Sequence, residues 1–397
     1  MNYPFSGIIV RYLRRHGTSV KADEQKVKDQ LHVNLWDIGE KSYVDIGMMI
    51  SDPLTVREIW VDLPWRVDHS HVVDLGPGLD GDKILTAIFN EVATYEGVSG
   101  EHYAAVTLGS RPKQEEPFLL VRLDPRKLDC AYTAVDAQSG VTRLRIRWPV
   151  LNYSKNEHRQ YRRYIRVRIT HAPKDVFFST FRPKDRNLLS SSAITRLLDF
   201  RVNVRRGVPD QVLLGEPTLE FPRLRKVHVF AIVPRETELP FHSEGYKGCR
   251  SLEDEEIWNS YINLPRRNHG HQGETVKDYL GYQWTASGDD GKPAKDLVAL
   301  GRFVHVTSSR WTNARFVAVV MLLGTLGSAV WDVVKASFGA DTSSPSWRQL
   351  FTWLLAPAGL LLLLLFVDRA TAREWARLVK QGWLKLRDSV GAWWADL

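Results

Sequence analysis

"YRRYIRVRIT", residues 161–170, sets Arg162, Arg166 and Arg168 on one parity and Ile165, Val167 and Ile169 on the other. Successive side chains of a strand point to opposite faces. The stretch therefore reads as a β-strand with one dry face and one row of guanidinium groups, Tyr164 standing on the arginine side. Two further stretches share the arrangement: Arg143, Arg145 and Arg147 oppose Leu144, Ile146 and Trp148, and Arg201 and Arg205 oppose Phe200, Val202 and Val204. If the three pair in one sheet, their dry faces share a core and their basic faces coincide. Like charges directly across strands repel, so such a face needs an anionic cover.

The charge distribution agrees. Residues 141–206 hold seventeen Lys and Arg against four Asp and Glu, a local +13, whereas the whole chain of 397 residues carries +8 and the remainder is therefore −5. A field this concentrated attracts nucleic acid, nucleotides, lipid headgroups or an acidic protein surface. Arginine offers bidentate phosphate contacts and Tyr164 a ring on which a base can stack. The candidate ligand-binding set is thus Arg143, Arg145, Arg147, Arg159, Arg162, Tyr164, Arg166, Arg168, Arg201 and Arg205. The competing reading is a face whose arginines find Asp and Glu elsewhere in the fold or in a neighbouring subunit.

Outward from these strands the alternation continues. "SGIIVRYL", "LHVNLWDIG", "SYVDIGMMI", "YAAVTLG", "FLLVRLD", "AYTAVDA" and "KVHVFAIV" also read as strands, punctuated by Gly, Pro, Asp or Asn, and "QSG" before Val141 as a hairpin turn. Two helices are expected. "GDKILTAIFNEVATYEG" has Asp80 or Asp82 as cap and Gly97 as stop, and "SLEDEEIWNSYI" opens on Ser251 with Asp254 three residues on. The fold class is α+β: a β-rich domain over residues 1–285, in one lobe or in two split near 150, then a linker and juxtamembrane segment over 286–313 that begins in the polar "TASGDDGKPAKD".

The carboxyl-terminal part differs in kind. Phe316 to Trp331 runs sixteen residues without a charge and Leu350 to Val367 eighteen. At about 1.5 Å per residue these reach roughly 24 and 27 Å, near the ~30 Å of a hydrocarbon core. Arg315 and Lys335 can snorkel, and Trp311, Trp331, Trp347 and Trp353 sit where interfacial aromatics belong. Transmembrane helices are expected at 314–336 and 348–368, joined by an external loop at 337–347, with Pro357 marking a kink. Nine basic residues on the outer flanks against two in the connection place both flanks in the cytoplasm. Residues 369–397, with Trp375, Val379, Trp383, Leu386, Val390 and Trp393 at steps of three and four, read as an amphipathic helix on the inner leaflet or packed on protein.

Enzymatic readings find less support. Asp68, His69, His71 and Asp74 in "DHSHVVD" can gather a metal only with ligands from elsewhere. "GPGLDGDK" places Asp82 where a phosphate loop needs lysine. His269 and His271 fall in a loop, and no nucleophile motif stands out. Cys130 and Cys249 are too few for a disulfide framework and suit a reducing compartment. The amino terminus lacks a basic leader followed by a long apolar run, which argues against a secretory signal. No cofactor and no resident metal are expected, and the chain reads as a non-enzyme.

A cytosolic domain with an anion-binding face followed by paired spans resembles the membrane effectors of bacterial antiphage systems: two-span effectors of cyclic-oligonucleotide signalling, those partnered with short Argonautes, and the DNA-gated effector of Hailong defence. The resemblance covers the order of parts and carries over no functional residue. It implies an oligonucleotide or cyclic nucleotide ligand, a homo-oligomer acting as a channel or membrane disruptor in the bacterial inner membrane, and a nucleotide-producing or nucleic-acid-guided partner protein. The alternatives are a membrane-tethered scaffold docking an acidic protein, and a membrane-bound metal hydrolase.

Overall fold

The computed structural model of the chain describes residues 3–15, 28–39, 41–98, 102–109, 116–124, 128–135, 139–147, 161–181, 192–214, 219–262, 275–289, 292–307, 310–337 and 358–359. Its strands begin with β1 (Ile9–Arg14), β2 (Asp29–Ile38), β3 (Lys41–Ile50), β4 (Val56–Leu63), β5 (Val72–Asp74), β6 (Ala93–Val98), β7 (Tyr103–Leu108), β8 (Glu116–Val121), β9 (Leu128–Ala134) and β10 (Gly140–Arg147). They continue with β11 (Arg162–Thr170), β12 (Phe178–Phe181), β13 (Ser192–Val202), β14 (Leu219–Glu220), β15 (Leu224–Pro234), β16 (Thr237–His242), β17 (Tyr246–Ser251), β18 (Tyr279–Ser287) and β19 (Leu297–Thr307). The helices are α1 (Asp82–Phe89), α2 (Asp210–Leu213), α3 (Glu255–Ile262) and α4 (Arg310–Ser337).

The β-rich character expected from the alternation is what the chain builds, and each of the ten stretches read as strands forms or overlaps one. Three sheets result: β14-β1-β4-β10-β9; a ten-stranded sheet β17-β18-β15-β2-β3-β11-β8-β7-β6 with β5 added beside β11; and β12-β13-β19-β16. Their facing sides share one core that includes Val10, Val33, Ile46, Val61, Leu144, Ile165, Val167, Phe200, Val229 and Phe303. The "QSG" turn joins β9 and β10 as an antiparallel pair, with Gly140 opposite Ala134. The strands outside those ten stretches are mostly short edge strands, apart from β4, "VREIWVDL", β18 and β19.

Both helix caps differ from expectation. α1 starts after Gly81 and stops at Asn90, left-handed at φ 55°, before Gly97 is reached. The Asp82 carboxylate instead accepts the Tyr95 N–H at 2.6 Å, tying the helix to β6. Ser251 ends β17, and α3 is capped by Asp254, whose side chain accepts the Ile257 N–H at 3.3 Å. β6 takes residues 93–98 from the carboxyl end of the first stretch and β17 takes Ser251 from the start of the second, so each helix is shorter than its stretch.

Two compact units divide the chain: 1–182 with 194–305, and 183–193 with 306–397. The first unit extends past 285, because β18 takes Thr285 to Ser287, residues expected as linker, and β19 forms on "LVALGRFVHVTSSRW", whose alternation is strand-like, within the expected juxtamembrane segment. In the second unit α4 contains the first apolar run, with Val317, Val320, Met321, Leu323, Val330 and Trp331 exposed. Among the described residues no helix is long and apolar enough to cross a membrane. Apart from Ser337, Ala358 and Gly359, the expected external loop, second span and amphipathic segment lie outside the described residues.

Candidate anion-binding cleft

The three arginine strands do not share a sheet. β10 lies in the five-stranded sheet, β11 in the ten-stranded sheet and β13 in the four-stranded one, so the continuous basic wall expected from their common pattern does not form. On β10 the guanidiniums face β4, where Glu58, Trp60 and Asp62 stand opposite Arg147, Arg145 and Arg143. Arg143 Nε reaches Asp62 Oδ1 at 2.6 Å, Arg147 Nε reaches Glu58 Oε1 at 3.6 Å, and Arg145 lies 4.8 Å from the Trp60 ring centre. On β13 Arg201 makes two bonds to Asp199, at 2.9 and 2.8 Å, and Arg205 stacks on Phe221 at 4.2 Å. Each of these five arginines thus has a partner within the fold, and none of them lines the cleft of the ten-stranded sheet. Arg159 lies outside the described residues. The alternation Glu58-Trp60-Asp62 in "VREIWVDL" was the signal that identified the partners of β10.

β11 answers differently. It sits between β3 and, on its other side, β8 and β5, so both of its edges are paired, and seven of its nine residues are buried. Asp45 of β3 stands directly opposite Arg168. Its carboxylate accepts Arg168 Nε and Nη2 at 2.6 and 2.8 Å, Trp36 Nε1 at 2.8 Å and the Tyr261 hydroxyl at 2.8 Å. Arg166 donates Nε to Tyr261 Oη at 2.6 Å and Nη1 to Tyr164 Oη at 2.8 Å, while the Asn34 amide oxygen accepts its Nη2 at 2.9 Å. Gly47, across from Arg166, makes this possible: a Cβ there would come within 2.2 Å of the Tyr164 hydroxyl.

Burial alone would push the Asp45 carboxyl up, but Arg168 and then Arg166 hold it below the usual carboxylate range. Desolvation likewise opposes charge on both arginines, yet Asp45 and the tyrosine hydroxyls keep them firmly protonated. Two cations thus share one carboxylate, with Asp45 fully buried and Arg166 and Arg168 at 1% and 6% exposure. Tyr164, Arg166 and Arg168 are consequently not open ligand contacts as the parity pattern suggested. They form a buried knot with a net positive charge.

That knot underlies a cleft of about 1310 Å³. Among the described residues six cationic side chains line it, Lys28, Arg162, Arg166, Arg225, Lys226 and Arg250, against one carboxylate, that of Glu91. Strand register explains the convergence: on one face of the large sheet Phe230, Asn34 and Asp45 form one cross-strand row, and His228, His32 and Gly47 the next. Lys226, Gln30 and Met49 form a third, with Lys28 and Arg225 beyond it. α1 and α3 cover this face only partly, through Phe89, Trp258 and Tyr261. The His32 and His228 rings stand 5.3 Å apart at their centres. Burial, reinforced by nearby cations, depresses both; His228 is held at about 4, so each imidazole is neutral at pH 7. Arg250 lies 4.8 Å from the Phe230 ring centre and donates to Asn90 Oδ1 at 2.9 Å. Of the predicted set, Arg162 and Arg166 border this site. Lys28, His32, Arg225, Lys226, His228 and Arg250 were missed because they are dispersed over the chain.

The remaining sequence candidates do not converge on a second centre. Asp74 accepts the backbone N–H groups of Gly76 and Leu123, and burial pushes its carboxyl up to about 6. His69 bonds the Leu128 carbonyl at 3.1 Å, and His71 stacks on His171 at 4.8 Å. Among the described residues no group of three or more His, Cys, Asp or Glu is placed to hold a metal. Asp80 and Asp82 line a separate cavity of about 770 Å³ with Asp254 and Glu256, an environment that repels phosphate. His269 and His271 lie outside the described residues. No protein-family profile matches the sequence, and no curated protein shows significant similarity to it.

Proposed function

We propose that the cleft binds a nucleotide-derived anion, an oligonucleotide or cyclic oligonucleotide, and that its occupancy controls a homo-oligomeric assembly of carboxyl-terminal apolar helices in a lipid bilayer. One observation carries the reading: among the described residues, five cationic side chains and one carboxylate surround a floor in which Arg166 and Arg168 share the single carboxylate of Asp45. An anion resting there offsets the cost of that buried charge. At about 1310 Å³ the cleft exceeds the ~300–1,000 Å³ of sites for drug-sized molecules, which suits more than one nucleotide. Phe89, Tyr161 and Phe230 supply rings beside the cations, the combination that single-stranded nucleic acid recognition uses.

The exposed apolar side chains of α4 support the membrane half of the proposal. Two spans cannot enclose a pore alone, so action on the bilayer requires several copies. In a bacterium this combination fits an antiphage-defence effector of the inner membrane, its β-rich unit and carboxyl terminus in the cytoplasm. A nucleotide-producing or nucleic-acid-guided partner would supply the ligand. Control in either direction requires only that the ligand bind two conformations unequally.

The test is a titration of the full-length protein in detergent with a fluorescein-labelled, 5′-phosphorylated oligoadenylate across a range of salt. Lys226→Glu with Arg225→Glu should weaken binding at least tenfold. It should also flatten the log affinity against log salt plot by about 1.4, two phosphate contacts at about 0.7 each. An affinity that stays within twofold of the wild type would overturn the assignment.

A further inference from the structure

The cleft's cations differ along the strands. At one end Arg166 is bonded to Tyr164 and Tyr261, and Arg250 to Asn90 over the Phe230 ring, so that end presents mainly neutral hydrogen-bonding groups. Lys28, Arg162, Arg225 and Lys226 gather at the other. At the neutral end the cross-strand rows present Phe230 with Asn34, then His228 with His32, and Gln283 borders them from β18. Two residues further along each strand stand Lys226 and Gln30, followed by Lys28, Arg225 and Arg162. Rows two residues apart are roughly 7 Å apart, so the Lys226–Gln30 row lies about 7 Å from the His228–His32 row and about 14 Å from Phe230 and Asn34.

The neutral end has directional hydrogen bonding built into it. Gln283 Nε2 lies 3.2 Å from Thr285 Oγ1 and 3.3 Å from His228 Nδ1. That spends the amide nitrogen and leaves the Gln283 oxygen as an acceptor at the cleft. With Nδ1 occupied by Gln283 and by Thr285 Oγ1 at 3.0 Å, the proton of a neutral His228 belongs on Nε2, a donor. An acceptor and a donor side by side match a nucleobase edge, where donor and acceptor also alternate; a phosphate or sulfate group has only acceptors. The adjoining rings of Phe89, Phe230 and His32 offer faces for the base, and Arg250 already stacks on Phe230.

We infer that the neutral end of the cleft is a nucleobase pocket and the cationic end its phosphate track. The ligand is then a short oligonucleotide, linear or cyclic, with at least one unpaired base, and not a base-free polyanion or a duplex. This rests on the reading of the cleft as an anion site and adds which end of the ligand goes where. His228 and Gln283 are the specificity-determining residues.

Competition against the labelled oligoadenylate, on the full-length protein in detergent, separates the two claims. The competitors are the dinucleotide pApA and inorganic tripolyphosphate. We expect pApA to compete at least tenfold better than tripolyphosphate. Gln283→Ala and His228→Ala should each weaken pApA by fivefold or more while leaving tripolyphosphate within twofold, and Lys226→Glu should weaken both. Gln283 is partly exposed at the sheet surface, so its variant tests the pocket even if His228→Ala fails to fold. If tripolyphosphate competes as well as pApA, or if Gln283→Ala weakens both equally, the nucleobase pocket is wrong while the anion site stands. If neither compound competes and Lys226→Glu has no effect, the anion site itself is wrong.

Discussion

Asp45→Asn tests the organisation of the cleft floor. Asparagine preserves the size of the side chain and removes the charge that two arginines share. Arg168 loses a two-pronged ion pair at 2.6 and 2.8 Å, and Arg166 loses a carboxylate oxygen at 3.8 Å from its Nη2. Removing one partner of a buried pair costs about 3–5 kcal/mol, because the remaining charge stays buried. At roughly 2 °C per kcal/mol for a unit of this size, the melting temperature should fall by about 6–10 °C. The full-length protein in detergent, followed by tryptophan fluorescence, gives this value directly. Trp36, which donates to Asp45, reports on the knot itself.

Two controls sharpen the test. Asp45→Asn with Arg168→Gln removes both charges of the closest pair and should recover about half of the loss, a coupling that independent sites would not show. The pH dependence has a defined sign. The folded-state Asp45 carboxyl lies below its unfolded value, so its contribution is complete above about pH 4 and disappears as the pH falls through the folded value. The gap between wild type and Asp45→Asn should therefore stay constant from pH 8 to pH 5 and close only in stronger acid. An Asp45→Asn protein within 1 kcal/mol of wild type, or a double variant whose loss equals the sum of the singles, would refute the shared-carboxylate account.

Three more outcomes are expected. Gly47→Ala drives a methyl group to 2.2 Å from the Tyr164 hydroxyl and should destabilise by about 1–3 kcal/mol in urea unfolding, an effect that Tyr164→Phe partly relieves. His228 titrates near 4 in the folded protein and near 6.5 unfolded, so the unfolded chain binds the extra proton between these values and stability falls as pH drops through that window. His228→Gln should flatten this segment of the stability profile relative to wild type; a profile of unchanged slope would argue against the buried neutral imidazole. Arg147→Gln with Arg201→Gln and Arg205→Gln should leave oligoadenylate affinity within twofold in the fluorescence titration, since these guanidiniums face Glu58, Asp199 and Phe221.

Local alternation was sufficient for much of the fold. β2, β3, β7, β8, β10, β11 and β15 each announce themselves by period-two patterning, since a half-buried strand must alternate. β4 carried the same information and its acidic members named the partners of Arg143 and Arg147, but only once pairing with β10 is known. α1 and α3 were legible as helices, whereas their caps depended on how far the neighbouring strands extended. The basic cluster on β11 was legible as charge, but its environment was not: identical parity patterns on β10, β11 and β13 end in three sheets.

Composition and spacing thus decided that the chain is β-rich, that arginine concentrates between 141 and 206, and that a long uncharged run follows residue 315. These are properties of neighbours along the chain, which sequence records directly. Which strands pair, what each guanidinium meets and where cations gather are properties of neighbours in space. Lys28, Arg162, Lys226 and Arg250 meet at one cleft because β2, β11, β15 and β17 belong to one sheet, and only folding brings residues so far apart in the chain to a common face.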